Sequence, residues 1–167
     1  YMDTLKVGLA SRIPRAVIGI NQSSGGLMSV GRAGEFPIRT ALSGPAAGVV
    51  GAVHIAKLAG HDDVITLDMG GTSADVALIQ DGKAGIGFDQ KVAEFPVRLP
   101  MVDVNTIGAG GGSIASFDRD GLLDVGPASS GASPGPACYG QGGAEPTVSD
   151  ANLILGRLSP RGLLDGE

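Results

Sequence analysis

The residues whose types and spacing suit chemistry lie first between Val64 and Gly82, VITLDMGGTSADVALIQDG. At the centre of this stretch, Asp68-Met69-Gly70-Gly71-Thr72-Ser73 gathers a carboxylate, two glycines and two hydroxyls. Consecutive glycines let neighbouring backbone N–H groups turn into one concavity, which is the arrangement that receives phosphate oxygens. Thr72 and Ser73 add hydroxyl donors. Asp68 stands where a carboxylate holds Mg²⁺ or its waters beside phosphates, and Asp75 shares that space only if the turn gives the return strand the right offset. The same spacing also suits an ordinary Gly-Gly hairpin whose Asp caps the turn.

A second cluster, Gly108-Ala109-Gly110-Gly111-Gly112-Ser113, fails the dinucleotide fingerprint because Ser113 replaces the last glycine and a strand pattern follows it. Such a loop admits the flat face of a base or sugar, and it equally marks a bulge or a chain crossing. No Gly-x4-Gly-Lys-Ser/Thr phosphate loop occurs. Gly131 to Gly135 matches nucleophile-elbow spacing, but no buried strand precedes it and Pro134 forbids the turn into a helix. His54 and His61 have no third ligand at metal spacing. Cys138 has no neighbouring histidine and reads as a small buried hydrophobe. Asp103 and Asn105 line a site or form a strand's wet face.

The elements that must position these residues follow from pattern and punctuation. Val64 to Leu67 reads as a buried strand, Asp68 to Ser73 as the tip of a hairpin, and Ala74 to Gln80 as the return strand before an Asp81-Gly82 turn. Upstream, Val17 to Ile20 predicts a strand leading into Asn-Gln-Ser-Ser-Gly-Gly, a phosphate-sized loop or a tight turn. Thr40 to Gly60 predicts a helix that starts at Ser43 with Pro45 in its first turn and stops at Gly60. Its Gly48 and Gly51 weaken a helix, which predicts close packing against another backbone. Downstream come a strand within Lys83 to Arg98, a short strand after Pro100, a hairpin around Asp120-Gly121, and a long Gly/Pro-rich loop over 126–146. Thr147 to Leu158 predicts a short helix with Ser149 as N-cap and Asp150 in its first turn.

The chain has 167 residues with 29 Gly and 10 Pro, just below the level of low-complexity sequence, and 43% hydrophobic content supplies one sizeable core. Twelve basic against 17 acidic residues give a formal charge of −5, with 4% aromatics and no Trp, which argues against a nucleic-acid partner. Apolar runs are short and interrupted, which argues against a membrane span, and a single Cys with no secretory segment points to the cytoplasm. The start at Tyr1 and the end at Leu163-Leu164-Asp165-Gly166-Glu167 read as those of an excised fragment.

Five blocks in order, SGPAAGVVGA (from Ser43), LDMGGTSADVALI (from Leu67), TIGAGGGSIA (from Thr106), PGPACYGQGG (from Pro134) and TVSDANLILGRL (from Thr147), resemble the hydantoinase/oxoprolinase family in its A-type subunit. The upstream QSSGGLMSV (from Gln22) extends the resemblance over nearly the whole chain. It implies an α/β fold: an actin-like ATPase subdomain of RNase H-like topology, with a mixed sheet, β-hairpins and packing helices. Residues 1–167 would then be a single partial domain, internal to the family's ATPase region.

The resemblance further implies ATP and Mg²⁺ as cofactors and ring opening of a small cyclic amide, a hydantoin or 5-oxoproline. A B-type subunit or fused region would be the partner. The Asp68 to Asp75 hairpin matches the second of the family's two phosphate loops, and the first, of Asp-x-Gly-Gly-Thr type, has no counterpart here. Gly70, Gly71, Thr72 and Ser73 then face phosphates, Asp68 and secondarily Asp75 face the metal, and Gly110, Gly111, Gly112 and Ser113 face the nucleotide. Two other readings stand beside this one: a nucleotide-responsive actin-like interaction or activator module, and an ATP-dependent ketone carboxylase subunit.

Overall fold

The computed structural model describes residues 1–92 and 95–160. Ala93 and Glu94, within the strand expected over Lys83 to Arg98, and Leu163 to Glu167, on which the fragment reading partly rests, lie outside the described residues. The chain divides into two compact units, Tyr1–Thr66 with Ala77–Asn105, and Leu67–Val76 with Thr106–Glu167.

The first unit carries three helices, α1 (Met2–Arg12), α2 (Val30–Glu35) and α3 (Ser43–Leu58). The sequence reading assigns nothing to Met2–Arg12, and α1 buries none of its residues. In α3 the core-facing stripe is Ala46, Val49 and Ala56. Ala46 and Val49 meet Ala77, Ile79 and Val102, with Ile79 completely buried. Gly48 and Gly51 are both exposed. A Cβ at either meets nothing within 4 Å, so the expected close packing does not occur. Gly60, at φ +78, supplies the left-handed residue that stops the helix, as expected.

The strand expected from Val17 shrinks to Ile20–Asn21, paired antiparallel with Leu27–Met28, and Val17 is 99% exposed. Between them Gln22–Gly26 closes as a tight turn, in which the Gly25 amide donates to the Gln22 carbonyl at 3.0 Å and the Gln22 amide to Gly26 at 3.2 Å. The region after Gln80 breaks into short strands, Lys83–Ala84, Ile86–Gly87, Gln90–Val92, Phe95–Val97 and Met101–Val102. The Asp81-Gly82 turn forms as read, with both residues at positive φ.

The hairpin over Val64–Met69 and Ala74–Gln80 is also as read. In hydrogen-bonded order the sheet runs Asn105–Ile107, Ala74–Gln80, Val64–Met69, and Lys83–Ala84 also pairs with Ala74–Gln80. Contrary to the expectation of a buried strand, the first strand buries none of its residues fully. Val64 and Thr66 are half-buried, while alternate residues Ile65, Leu67 and Met69 are 73%, 66% and 50% exposed. Period-two alternation puts those three on one uncovered face, so a nearly continuous apolar run reads as two-sided burial when only one side is covered.

In the second unit Ser113–Phe117 pairs antiparallel with Leu123–Ser129 around the Asp120-Gly121 turn, where the Asp118 carboxylate accepts from the amides of Asp120 and Leu122. Gly126 to Ser129 therefore continue a strand rather than opening the loop, because Ser129 pairs with Ser113. Beyond Ser129 come turns, a 3₁₀ turn at Ala137–Tyr139, and α4 (Val148–Ile154). The N-cap of α4 is Thr147, not Ser149: Thr147 and Asp150 form a reciprocal capping box. Among the described residues no helix is long and apolar enough to cross a membrane.

Candidate functional site

The tip of the hairpin closes on itself through the Gly70 amide, which donates to the Ser73 carbonyl at 2.9 Å. Among the described residues the amides of Gly71, Thr72 and Ser73 donate to no acceptor. An unpaired amide needs water or a ligand. Gly71 and Thr72 are exposed residues and Ser73 is half-buried. Asp68 is exposed, and among the described residues its carboxylate makes no hydrogen bond or ion pair. Asp75 differs: its Oδ1 accepts from the Thr106 hydroxyl at 2.6 Å, which ties it to the neighbouring strand. Among the described residues no group of three or more His, Cys, Asp or Glu gathers to hold a metal.

The second glycine cluster lies against this tip. Gly111 donates to the Gly70 carbonyl at 2.9 Å and Gly112 to the Gly71 carbonyl at 2.6 Å. A Cβ on Gly110 would fall 2.6 Å from the amide nitrogens of both Thr72 and Ser73 and 2.7 Å from the Gly70 oxygen. The chains thus approach backbone to backbone, which only glycine permits. Gly110, Gly111 and Gly112, which with Ser113 form a strap over the tip, are each also fixed by a serine. Gly110 donates to the Ser113 hydroxyl at 2.8 Å, Gly111 accepts from the Ser149 amide at 2.8 Å, and Gly112 accepts from the Ser130 amide at 2.9 Å. The chain crossing that spacing left open is therefore present, and the amides of Gly110 to Ser113 are committed while, among the described residues, those of Gly71, Thr72 and Ser73 are not.

Ser113, Thr147 and Ser149 are buried polar residues, and Ser130 and Asp150 complete the support. Sequence reasoning assigns no site role to Ser130, Thr147, Ser149 or Asp150; the signal available was the Thr-Val-Ser-Asp capping-box pattern. Burial alone would raise the Asp150 carboxyl, but hydrogen bonds from Thr147 and Cys138 outweigh it and hold the group at about 2 instead of the ordinary 3.8. Burial, reinforced by Asp150, pushes the Cys138 thiol up, away from the reactive thiolate. Cys138 is half-buried, not the fully buried hydrophobe that the sequence suggested.

A folded-state pKa below the unfolded one stabilises above the unfolded value, and that gain is lost as pH falls through the folded value. Asp150→Asn, which turns an amide NH₂ toward the Thr147 donors, should cost about 1 kcal/mol at pH 7, after allowing for solvent screening of a half-exposed carboxylate. Chemical denaturation of both forms measures this. The difference should shrink as pH falls from 3.8 toward about 2, and a difference independent of pH over that range would reject the assignment.

The protein is thus a mixed α/β chain whose glycine-rich hairpin tip leaves the amides of Gly71, Thr72 and Ser73 without an acceptor among the described residues. The chain belongs to the hydantoinase/oxoprolinase family, whose model matches residues 1–167. It is 48% identical to caprolactamase subunit alpha of Pseudomonas jessenii over 145 residues, 87% of this chain and 21% of that one. It is 40% identical to 5-oxoprolinase of Saccharomyces cerevisiae over 161 residues, 96% of this chain and 12% of that one.

The solved structure of ATP-dependent caprolactamase from Pseudomonas jessenii superposes with a TM-score of 0.76 at 41% identity, covering 100% of this chain and 25% of that chain. Nucleotide-free acetone carboxylase, from a study of ATP-dependent acetone carboxylation, gives 0.75 at 31%, covering 95% and 22%. The mixed α/β fold with antiparallel strand pairs is thus that of ATP-dependent enzymes. The chain spans about a fifth or less of the length of these curated relatives.

Proposed function

We propose that this chain is an internal part of the ATPase region of an ATP-dependent cyclic amide hydrolase, actin-like in fold, working in the cytoplasm with a B-type subunit or fused region. The observation that carries the reading is the set of unpaired amides at Gly71, Thr72 and Ser73 beside the unpartnered Asp68. Gly70 and Gly71 lack positive φ, and a Cβ on either would make no contact closer than 3.6 Å. Among the described residues no close contact requires glycine at these two positions, which leaves room for a phosphate approaching from outside.

The donor set fits Mg·ATP. Backbone amides of 71–73 and the hydroxyls of Thr72 and Ser73 receive phosphate oxygens, and Asp68 holds Mg²⁺ or its waters. Asp75 is the weaker metal candidate because its oxygen is already engaged by Thr106. Gly110 to Ser113 bound the site from the side of the strap. ATP, when bound, supplies the phosphoryl group that activates a ring-amide oxygen toward water. The protein's share of that reaction is positioning and charge neutralisation.

A second reading, an ATP-dependent ketone carboxylase subunit, draws support from the likeness to acetone carboxylase. The deciding experiment measures ATP turnover by the complete polypeptide and its partner against hydantoin, 5-oxoproline, a lactam, and acetone with bicarbonate. Stimulation by a cyclic amide with release of the opened amino acid is the expected result. Stimulation only by ketone with bicarbonate favours the carboxylase. ATP turnover indifferent to all of them favours a nucleotide-responsive interaction module, and the hydrolase reading falls.

A further inference from the structure

The strap raises a question that the phosphate-loop reading leaves open: what holds the strap. Gly111 is bonded in two directions, its amide to the Gly70 carbonyl at 2.9 Å and its carbonyl to the Ser149 amide at 2.8 Å. Ser149 is 7% exposed, and its Oγ lies 2.8 Å from the point where a Cβ on Gly111 would stand. The first turn of α4 therefore touches the strap through both its backbone and its side chain.

That turn is itself fixed. The Asp150 carboxylate accepts from the Thr147 amide at 2.9 Å, the Thr147 hydroxyl at 2.7 Å and the Cys138 amide at 2.7 Å. Thr147 bridges to Ile114, and Ala115 donates to the Pro146 carbonyl at 2.9 Å. One sheet strand, one loop and one helix start converge on the peptide at 111. From Gly111 one hydrogen bond reaches the Gly70 carbonyl of the tip, and Gly112 beside it adds a second, to the Gly71 carbonyl.

We infer that Ser149 is a positioning residue for the phosphate loop, acting through Gly111 to set where the 70–73 backbone stands. This rests on the nucleotide reading of that loop. Ser149 touches no phosphate itself; it fixes the distance between α4 and the strap, and the strap fixes Gly70.

Gly111 suits a test because its φ is not in the left-handed region and the Ser149 Oγ is the sole tight contact a methyl there would make; the next, the Gly70 oxygen, is at 3.7 Å. Gly111→Ala in the complete polypeptide should push the strap off α4 and weaken Mg·ADP binding by calorimetry about tenfold. KM for ATP should rise by the same factor with kcat changed less. Combining it with Ser149→Ala removes the obstructing oxygen, so Gly111→Ala/Ser149→Ala should recover affinity to within about threefold of wild type.

Melting temperature is followed throughout to separate unfolding from misplacement. Affinity unchanged in a folded Gly111→Ala protein overturns the inference, and so does a loss that the second substitution leaves unrelieved. If Gly111→Ala alone does not fold, the double variant decides: folded with near wild-type affinity it supports the inference, and unfolded or weak it overturns it. Wild-type protein that binds no Mg·ADP removes the nucleotide reading itself, which is a separate result obtained first.

Discussion

Asp68→Ala in the complete polypeptide should lower Mg·ATP-dependent turnover by about a hundredfold or more, since removing a metal or oxyanion-stabilising contact typically costs several kcal/mol at the transition state. The fold should survive. Asp68 is exposed, and among the described residues its carboxylate holds nothing in place. Its loss should therefore change stability by no more than about 0.5 kcal/mol, the ordinary range for such surface positions. Raising Mg²⁺ should recover part of the rate if the loss is of metal affinity. Asp75→Ala offers the comparison: it removes the oxygen that accepts from the Thr106 hydroxyl at 2.6 Å, so it should affect turnover less and stability more. The measurements are kcat/KM at two Mg²⁺ concentrations and a thermal melt, and turnover unaltered in Asp68→Ala would remove this residue from the site.

Gly110→Ala should be nearly as damaging for a steric reason. The added methyl would stand 2.6 Å from two backbone nitrogens and 2.7 Å from a backbone oxygen of the tip, and no side-chain rotation relieves a clash with backbone. The tip and strap must separate. Overpacking of this kind costs about 1–3 kcal/mol. The displacement also spoils the amide geometry, so nucleotide affinity should fall by about a hundredfold, as an ångström of misplacement can cause. Gly71→Ala serves as the contrast in stability, because a Cβ there meets nothing within 4 Å and should leave the melting temperature near wild type. Equal destabilisation by the two substitutions would contradict the packing described above.

The local structure around the site is largely legible in the sequence. The hairpin was readable because Gly-Gly-Thr-Ser separates two apolar runs, and the hairpin at Asp120-Gly121 for the same kind of reason. The helix over Ser43–Leu58 follows from its Gly60 stop, and α4 from its polar start, although the cap proved to be Thr147. What failed was burial. Alternating exposure along Val64–Met69 is invisible when every outward residue but Asp68 is also apolar.

The role of the second glycine cluster was also not decidable. Access for a ligand and passage of another strand of backbone both select glycine, and the partner of that crossing is a set of carbonyls, which leave no mark in side-chain identity. Asp75, the secondary metal candidate, depended on an offset the sequence could not give, and its oxygen proves to be tied to Thr106 on the neighbouring strand. Cross-strand partners depend on register, which a single strand's pattern does not carry.

The order in which the ribosome delivers these pieces has a consequence for how the site comes into being. The tip is made first, then the strap, and Ser149 and Asp150 emerge last. At roughly 5–20 residues per second, several seconds pass between synthesis of the tip and arrival of the helix turn that completes its support. During that interval the strap has no Ser149 amide to accept from, and the tip is backed by an unsecured chain. On the proposed reading phosphate capture would come only after residue 149, and a nascent chain stalled before it would carry the whole Asp68 to Ser73 tip without its support.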